Sequence, residues 1–263
     1  MIRDRGIASK LWRTAVWAVV VIFVLNLLAL IATVVIDSLS TRWLGTWLPA
    51  GFTMHWYGDA WDEFQLSDVL IVTVEVVGAV VAISGALGVT AAYALARRDF
   101  PGKRAATLLF LLPLLVPPLT YGIPMATLLY RVGLGGSFWG VVLANLVPAV
   151  PFVVLVMIPF IEQIDPRIEA AARVFGASTT QLFLRVLLPL LLPGVLAALL
   201  LVLVRTVAMF ELTFLTAGPT SQTLVVSLYY AVFAAGVRAG QEVDVMVTGA
   251  DCRAVRFRVQ LFG

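Results

Sequence analysis

Asp165–Gly194 reads DPRIEAAARVFGASTTQLFLRVLLPLLLPG, a charged, alanine-rich opening that passes through a glycine into apolar sequence. Asp165 followed by Pro166 has the form of a helix cap with proline in the first turn. Ile168–Phe175 then has the composition of a short helix, and Gly176 can stop it in the left-handed conformation. A second short helix is expected over Ser178–Leu187, leading to Pro189 at a membrane entrance. Two short helices bent at a glycine make a compact knob over about 162–188, and the apolar run behind it is long enough to cross a bilayer. The stretch therefore joins a water-facing element to a membrane span.

The rest of the chain agrees. Of its 263 residues, 61% are hydrophobic and 13% charged, with a mean hydropathy of +1.01, too little polar surface for a water-soluble domain. A hydrocarbon core of about 30 Å needs about 20 apolar residues as helix. Candidate spans are Thr14–Ile36, Val69–Ala96, Ala105–Tyr130, Phe138–Ile161 and Val186–Val204. The first is too long for the core of a signal peptide. The fold expected is an all-α, polytopic transmembrane bundle of five or six spans.

Residues 1–13 carry Arg3, Arg5, Lys10 and Arg13 and read as a cytoplasmic segment ahead of a permease domain at 14–236. The same side receives Arg97, Arg98, Lys103 and Arg104, and then Arg167, Arg173 and Arg185. The opposite side receives the acid-rich connector Asp37–Asp68, so the lysine and arginine asymmetry places the N-terminus inside. A competing topology makes Leu212–Gly236 a sixth span, against which stand Gly218 and Pro219 in its middle. Residues 237–263 are an atypical polar tail, expected to be poorly ordered, with no window able to cross a bilayer.

Several spans are more than apolar rods. Ala105–Tyr130 holds Pro113, Pro117, Pro118 and Pro124 around Thr120, Tyr121 and Gly122, and each proline removes a helical donor. Protein or a watery cavity must then cover the freed carbonyls. Pro148 and Pro151 repeat the signature in the next span. Small residues recur at four-residue spacing in two rows, Gly78, Ala82, Ala86 and Gly88, Ala92, Ala96, faces on which helices can approach closely.

Charges inside the membrane mark function, since a central one costs about 2.5–3.5 kcal/mol on insertion scales. Glu75 lies within the second span, and Arg205 and Glu211 bracket the expected outer end of the fifth. Glu75 is read as part of a substrate path or subunit seam, and Tyr121, Asn145 and Glu211 are further pathway candidates. The single Cys252 leaves no internal disulfide and no cysteine-rich metal site, and His55, the only histidine, reads as a surface residue. No metal site, no nucleic-acid partner and no nucleophile–base pair is expected. The chain has no GxxxxGK[ST] phosphate loop, so it is not itself a nucleotide hydrolase.

Gly176, Val186, Leu188 and Pro189 fall at the spacing of a known signature, EAA, three residues, Gly, nine residues, Ile-x-Leu-Pro, with Val186 in the isoleucine place. Counting back from Gly176, the glutamate position is Ala170, followed by Ala171 and Ala172, while Glu169 stands one residue early. In this the chain resembles the inner-membrane permeases of binding-protein-dependent ABC importers, from FTMHWYGDAW at Phe52 through GPTSQTL at Gly218–Leu224. The resemblance implies the type I importer fold, with the knob seated as a coupling helix in a groove of a separate ATPase. The coupling residues it implies are Glu169, Ala170, Ala171, Ala172, Arg173, Gly176, Leu188 and Pro189. Alanines give strong helix propensity with little bulk for a helix deep in a cleft, and Arg173 and Arg185 can pair with acids at its rim.

Further implications follow from the same resemblance. The chain would be a non-catalytic transport subunit that binds no cofactor. It would work with a second permease subunit, homologous or identical, with two ATPase subunits that hold ATP and magnesium, and with a periplasmic or extracellular substrate-binding protein. Its place would be the bacterial inner membrane. Segments similar to Phe210–Leu224 line the external gate in such permeases. The overall pattern resembles permeases for polyamines, ferric iron or phosphonate-type compounds, with sugars next. The alternative, an ATP-independent secondary transporter, would show paired ionisable residues near the midplane and related halves of the chain.

Overall fold

The computed structural model describes residues 4–41, 49 and 51–233, and they are overwhelmingly helical. The expected tail at 237–263 lies outside the described residues. The chain divides at Gln65–Leu66 into two compact units, a boundary inside the 14–236 stretch read above as one domain.

The first unit holds α1 (Asp4–Leu39) and α2 (His55–Glu63). Helix α1 begins within the basic N-terminal segment, because nothing there breaks a helix, and its apolar run from Trp12 is long enough to span. Backbone pairing of Thr41 with Gly51 and of Thr53 with Leu39 closes the turn before α2. The Trp56 indole N–H donates to the Ser40 carbonyl at 3.0 Å.

The second unit begins with α3 (Leu66–Arg97), followed by α4 (Lys103–Leu115), α5 (Pro118–Arg131) and α6 (Phe138–Glu162). Then come α7 (Pro166–Val174), α8 (Thr179–Val207), α9 (Glu211–Thr216) and α10 (Leu224–Phe233). Helices α1, α3, α6 and α8 have spanning length, and the bent pair α4–α5 makes a fifth crossing. Arg97, Lys103, Arg167, Arg173 and Arg185 gather at one end of this unit, here the basic end.

Helix α6 is its centre, packed against α3, α4, α8 and α9. Val76, Val80, Val141, Val153, Met157, Ile161, Leu187 and Leu191 form the continuous buried core. Lipid is as apolar as these side chains, so close packing holds such a bundle together. Glycines supply the holes: Gly88 receives Val153, Gly85 receives Leu199, and Gly194 receives the Phe160 ring. Of the two small-residue rows, Gly88, Ala92 and Ala96 face this seam, while Gly78, Ala82 and Ala86 lie exposed.

The prolines act differently in the two segments that carry them. Between α4 and α5 the chain bends by 98° at Val116–Pro117, so the span expected as Ala105–Tyr130 is broken. Pro118 opens α5 where its missing N–H costs nothing. Helix α6, by contrast, runs unbroken through Pro148, Pro151 and Pro159. Pro148 and Pro151 lie on its buried face, where neighbours on several sides hold the axis.

One expectation is corrected here, and one alternative falls. The second helix of the knob is no separate element, because Ser178–Leu187 runs directly into the following span as one helix from Thr179. Within it Leu182–Leu187 is a π-turn, with the Leu188 N–H bonded back to Phe183. Pro189 explains this, since its ring crowds the carbonyl four residues earlier and the wider turn relieves the clash. The competing topology, one unbroken span over Leu212–Gly236, does not hold among the described residues: α9 ends at Thr216, and the chain turns through Ala217–Thr223 before α10, as Gly218 and Pro219 suggest.

Candidate functional site

The knob is built by local rules. Asp165 caps α7 by accepting the Arg167 N–H at 2.9 Å, with Pro166 at the first position. At the other end Gly176 adopts φ +83°, and the N–H groups of Gly176 and Ala177 bond back to Arg173 and Ala172 at 3.0 and 3.1 Å. This is the Schellman termination, which needs a left-handed residue where Gly176 stands. Ser178 and Gln181 then cap α8 reciprocally, Ser178 Oγ accepting from the Gln181 N–H and Gln181 Oε1 from the Ser178 N–H. That S-x-x-Q spacing was legible and was not used above.

Helix α7 presents two faces. Ala170, Ala171, Arg173, Val174 and Phe175 are exposed, the last two almost fully at 86% and 90%. Ala172 and Glu169 turn inward, Ala172 against the core and Glu169 into a polar pocket at the end of α3. The three alanines therefore do not share one face. Leu188 is half-buried and Pro189 exposed, both in the span and not on the knob.

Inside the pocket, Glu169 Oε1 lies 2.8 Å from Arg97 Nε, a charge contact whose N–H is not aimed along it. Glu169 Oε2 accepts the Tyr93 hydroxyl at 2.9 Å. Arg97 also donates to the Ile164 carbonyl. Tyr93 was not singled out from the sequence, and Arg97 was read only as one of the basic residues that set the orientation. The available signal was a Tyr and an Arg four residues apart in the last turn of an apolar helix.

A second polar region lies within the membrane-spanning part. The Arg205 guanidinium sits 5.2 Å from the centre of the Phe152 ring. Phe152 is roughly 21 Å along α6 from Phe138, at about 1.5 Å per residue. Arg205 is therefore deep in the bundle, which corrects its expected place at the outer end of a span. The cause is that α8 stops at Val207 and α9 completes the crossing after a break at Ala208–Phe210. At the far end of α9 the Thr216 carbonyl accepts the Gly136 N–H at 3.0 Å, and Ser221 Oγ donates to the Gly136 carbonyl at 3.0 Å. Gly218 approaches Gly136 so closely that a side chain on it would strike the Gly136 carbonyl.

Tyr121, Asn145 and Glu211 converge on this break, and Glu75 stands apart from it. Tyr121 packs against the cluster that holds Met209 and Leu212, and its hydroxyl is buried without a hydrogen-bond partner among the described residues. Asn145 is buried, its amide donating to the Val141 carbonyl at 2.9 Å and to Thr213 Oγ1 at 3.1 Å. Through these bonds Asn145 ties α9 to α6 beside the break. Glu75 is exposed on α3, on the same face as Gly78, Ala82 and Ala86. Beyond the break, Phe210 and Phe214 stack on each other and meet Tyr229 of α10 tilted and edge-on, and the Leu224 N–H donates to Thr73 Oγ1 at 2.9 Å.

A bundle with a sharply bent helix pair, a protruding capped helix at its basic end and a crossing broken at depth has the form of a transport permease, and the comparisons agree. Residues 84–246 match the family described as "Binding-protein-dependent transport system inner membrane component", and the chain belongs to it. It is a multi-pass permease subunit of an ABC importer with the type I fold. It is 36% identical to the molybdenum transport system permease protein ModB of Haemophilus influenzae over 54% of this chain and 69% of that protein. A probable molybdenum ABC transporter permease protein of Haloferax volcanii is 32% identical over 66% of this chain and 67% of its own. In fold, the chain is similar to a chain of a bacterial ABC transporter involved in import of the acidic polysaccharide alginate. That likeness has a TM-score of 0.63 at 19% identity and covers 81% of this chain and 78% of the other.

Proposed function

We propose that α7 docks this permease onto a separate ATPase at the cytoplasmic side of the inner membrane. The observation that carries the reading is the outward face of α7, where Val174 and Phe175 stand almost fully exposed beside Ala170, Ala171 and Arg173 at the basic end. Two large apolar side chains on a rigid, doubly capped helix outside the bundle suit burial in a partner's groove. The gathering of Arg97, Lys103, Arg167, Arg173 and Arg185 at that end supports its cytoplasmic placement, and Arg3, Arg5, Lys10 and Arg13 in the sequence support a cytoplasmic N-terminus. Gly176 keeps the helix end compact, and Leu188 and Pro189 connect it to the span that would move.

In this reading the chain is a non-catalytic conduit without a cofactor of its own. Two partner ATPases supply ATP and magnesium, a second permease completes the pathway, and an external binding protein delivers the substrate. The path runs by the break in the α8–α9 crossing, where Tyr121, Arg205 and Glu211 place polar groups at depth, with Glu75 on the open face of α3 as a seam or pathway residue. The relatives named for molybdenum and sulfate transport support an oxyanion substrate, and those named for trehalose and for spermidine/putrescine transport support the sugar and polyamine classes expected from the sequence.

The test is co-purification. Val174→Asp with Phe175→Asp should leave the permease folded in membranes and abolish capture of the ATPase, and undiminished capture refutes the docking role. Uptake of molybdate, spermidine, ferric ion and a disaccharide, each with its binding protein, then decides the substrate.

A further inference from the structure

Glu169 is the charged residue of α7 that turns away from the docking surface, and the bundle has engaged it. It is 8% exposed, and Arg97 and Tyr93, one helical turn apart on α3, close on its two oxygens at 2.8 and 2.9 Å. Arg97 at the same time holds the Ile164 carbonyl, in the connector between α6 and α7. The Tyr93 ring meets Phe183 edge-on at 5.6 Å, in the π-turn that opens α8. Two neighbouring side chains of α3 thus grip the end of α6, the docking helix and the start of α8 together. The backbone of α7 packs chiefly on the π-turn and little on α3, so the polar contacts are the main tie between those two helices.

We infer that Arg97, Glu169 and Tyr93 form a latch that makes α3 follow α7, so that these are positioning residues for transport and Glu169 is committed within the chain and not to the ATPase. Glu169 and Arg97 are shielded from water, with side chains 10% and 13% exposed. Parting a shielded pair leaves Arg97 at the end of α3 without its partner, a penalty that opposes α7 lifting away while α3 stays. A push on the exposed face of α7 is then delivered to α3. Through the Gly88–Val153 contact it also reaches α6, and so the centre of the bundle. The inference rests on the reading of α7 as the docking helix.

The experiment uses the full permease with its co-purifying ATPase and binding protein in proteoliposomes. It records ATPase capture, melting midpoint, and substrate carried per ATP hydrolysed. Glu169→Gln and Arg97→Gln, each leaving one partner unmatched, should keep ATPase capture and lower transport per ATP by about tenfold, the scale seen for contacting pairs. The double variant, with neither charge, should recover most of that loss. Tyr93→Phe removes a hydroxyl alone and should lower the ratio by about tenfold, the worth of a hydrogen bond to a charged group; it carries the test if the charge variants do not fold. A merely structural role would move the melting midpoint and not the ratio. An unchanged ratio in the single variants, no recovery in the double variant, or loss of ATPase capture by a folded Glu169→Gln chain each overturns the latch. Retained capture by the Val174 and Phe175 variants would instead refute the docking reading, so the two failures are distinguishable.

Discussion

Adding one methyl group to α3 at three glycines should have three different consequences. At Gly88 the new Cβ would stand 2.6 Å from both Cβ and Cγ1 of Val153 and 3.2 Å from the Val150 carbonyl oxygen. Val153 Cβ is fixed to its own backbone, so relief requires α3 and α6 to part. Overpacking of this kind costs about 1–3 kcal/mol, and a clash against backbone belongs at the top of that range. The gain in helix propensity from glycine to alanine returns about 1 kcal/mol. Gly88→Ala should therefore lose about 2 kcal/mol, roughly a 30-fold fall in the folded-to-unfolded ratio. At Gly85 the obstacle is Leu199 Cδ2 at 2.7 Å, the far end of a flexible side chain, and the change should be near neutral. At Gly78 nothing lies within 4 Å, so alanine should stabilise by up to about 1 kcal/mol. Reversible unfolding in mixed micelles, followed by tryptophan fluorescence, measures all three. Equal stability of Gly88→Ala and Gly78→Ala would refute the reasoning, because helix propensity alone would then account for both.

Two further substitutions probe the ends of the proposed pathway. Gly176→Ala meets no atom within 4 Å but must hold φ +83°, at a cost of about 1–2 kcal/mol. The loss should appear as faster hydrogen exchange in α7 with an unchanged global melting midpoint, and unaltered exchange would show that the turn tolerates a side chain. Glu75→Gln should leave the protein assembled in membranes while slowing uptake in proteoliposomes, and normal uptake by that variant removes Glu75 from the transport reading.

Where a structural choice was local, the sequence carried it. Asp165, Pro166 and Gly176 each determine the hydrogen bonds of their own helix end, and the structure forms those bonds where the residue types predict them. Span lengths were legible for the same reason, as each depends on a run of apolar residues and on nothing distant. The prolines show the limit. Pro117 and Pro118 break a span and Pro148 and Pro151 do not, although all four remove the same donor. What separates them is the burial of α6 among its neighbours, which no window of sequence contains. The depth of Arg205 was hidden for a related reason. Its sequence neighbours suggest a helix end, and helix α8 does end there, but at depth beside Phe152, with α9 left to finish the crossing.

The coupling loop adds a sharper case, in which a shift of one residue changes what a side chain can do. Successive residues on a helix are turned by about 100°, so an acid at 169 and an acid at 170 face different surroundings. Ala170 is exposed on the side that a partner would cover, whereas position 169 faces the end of α3. An acid at 170 would be available to a docking protein; Glu169 is not, because Arg97 and Tyr93 hold both of its oxygens. The departure from the signature is thus a relocation of the carboxylate from the outer surface to the inner seam. Tyr93 and Arg97 are also spaced so that both reach that seam, four residues apart on one face of α3. Restoring the signature spacing, with Glu169→Ala and Ala170→Glu together, would place the acid outside and leave Arg97 buried without its partner, so it should not substitute for the native arrangement.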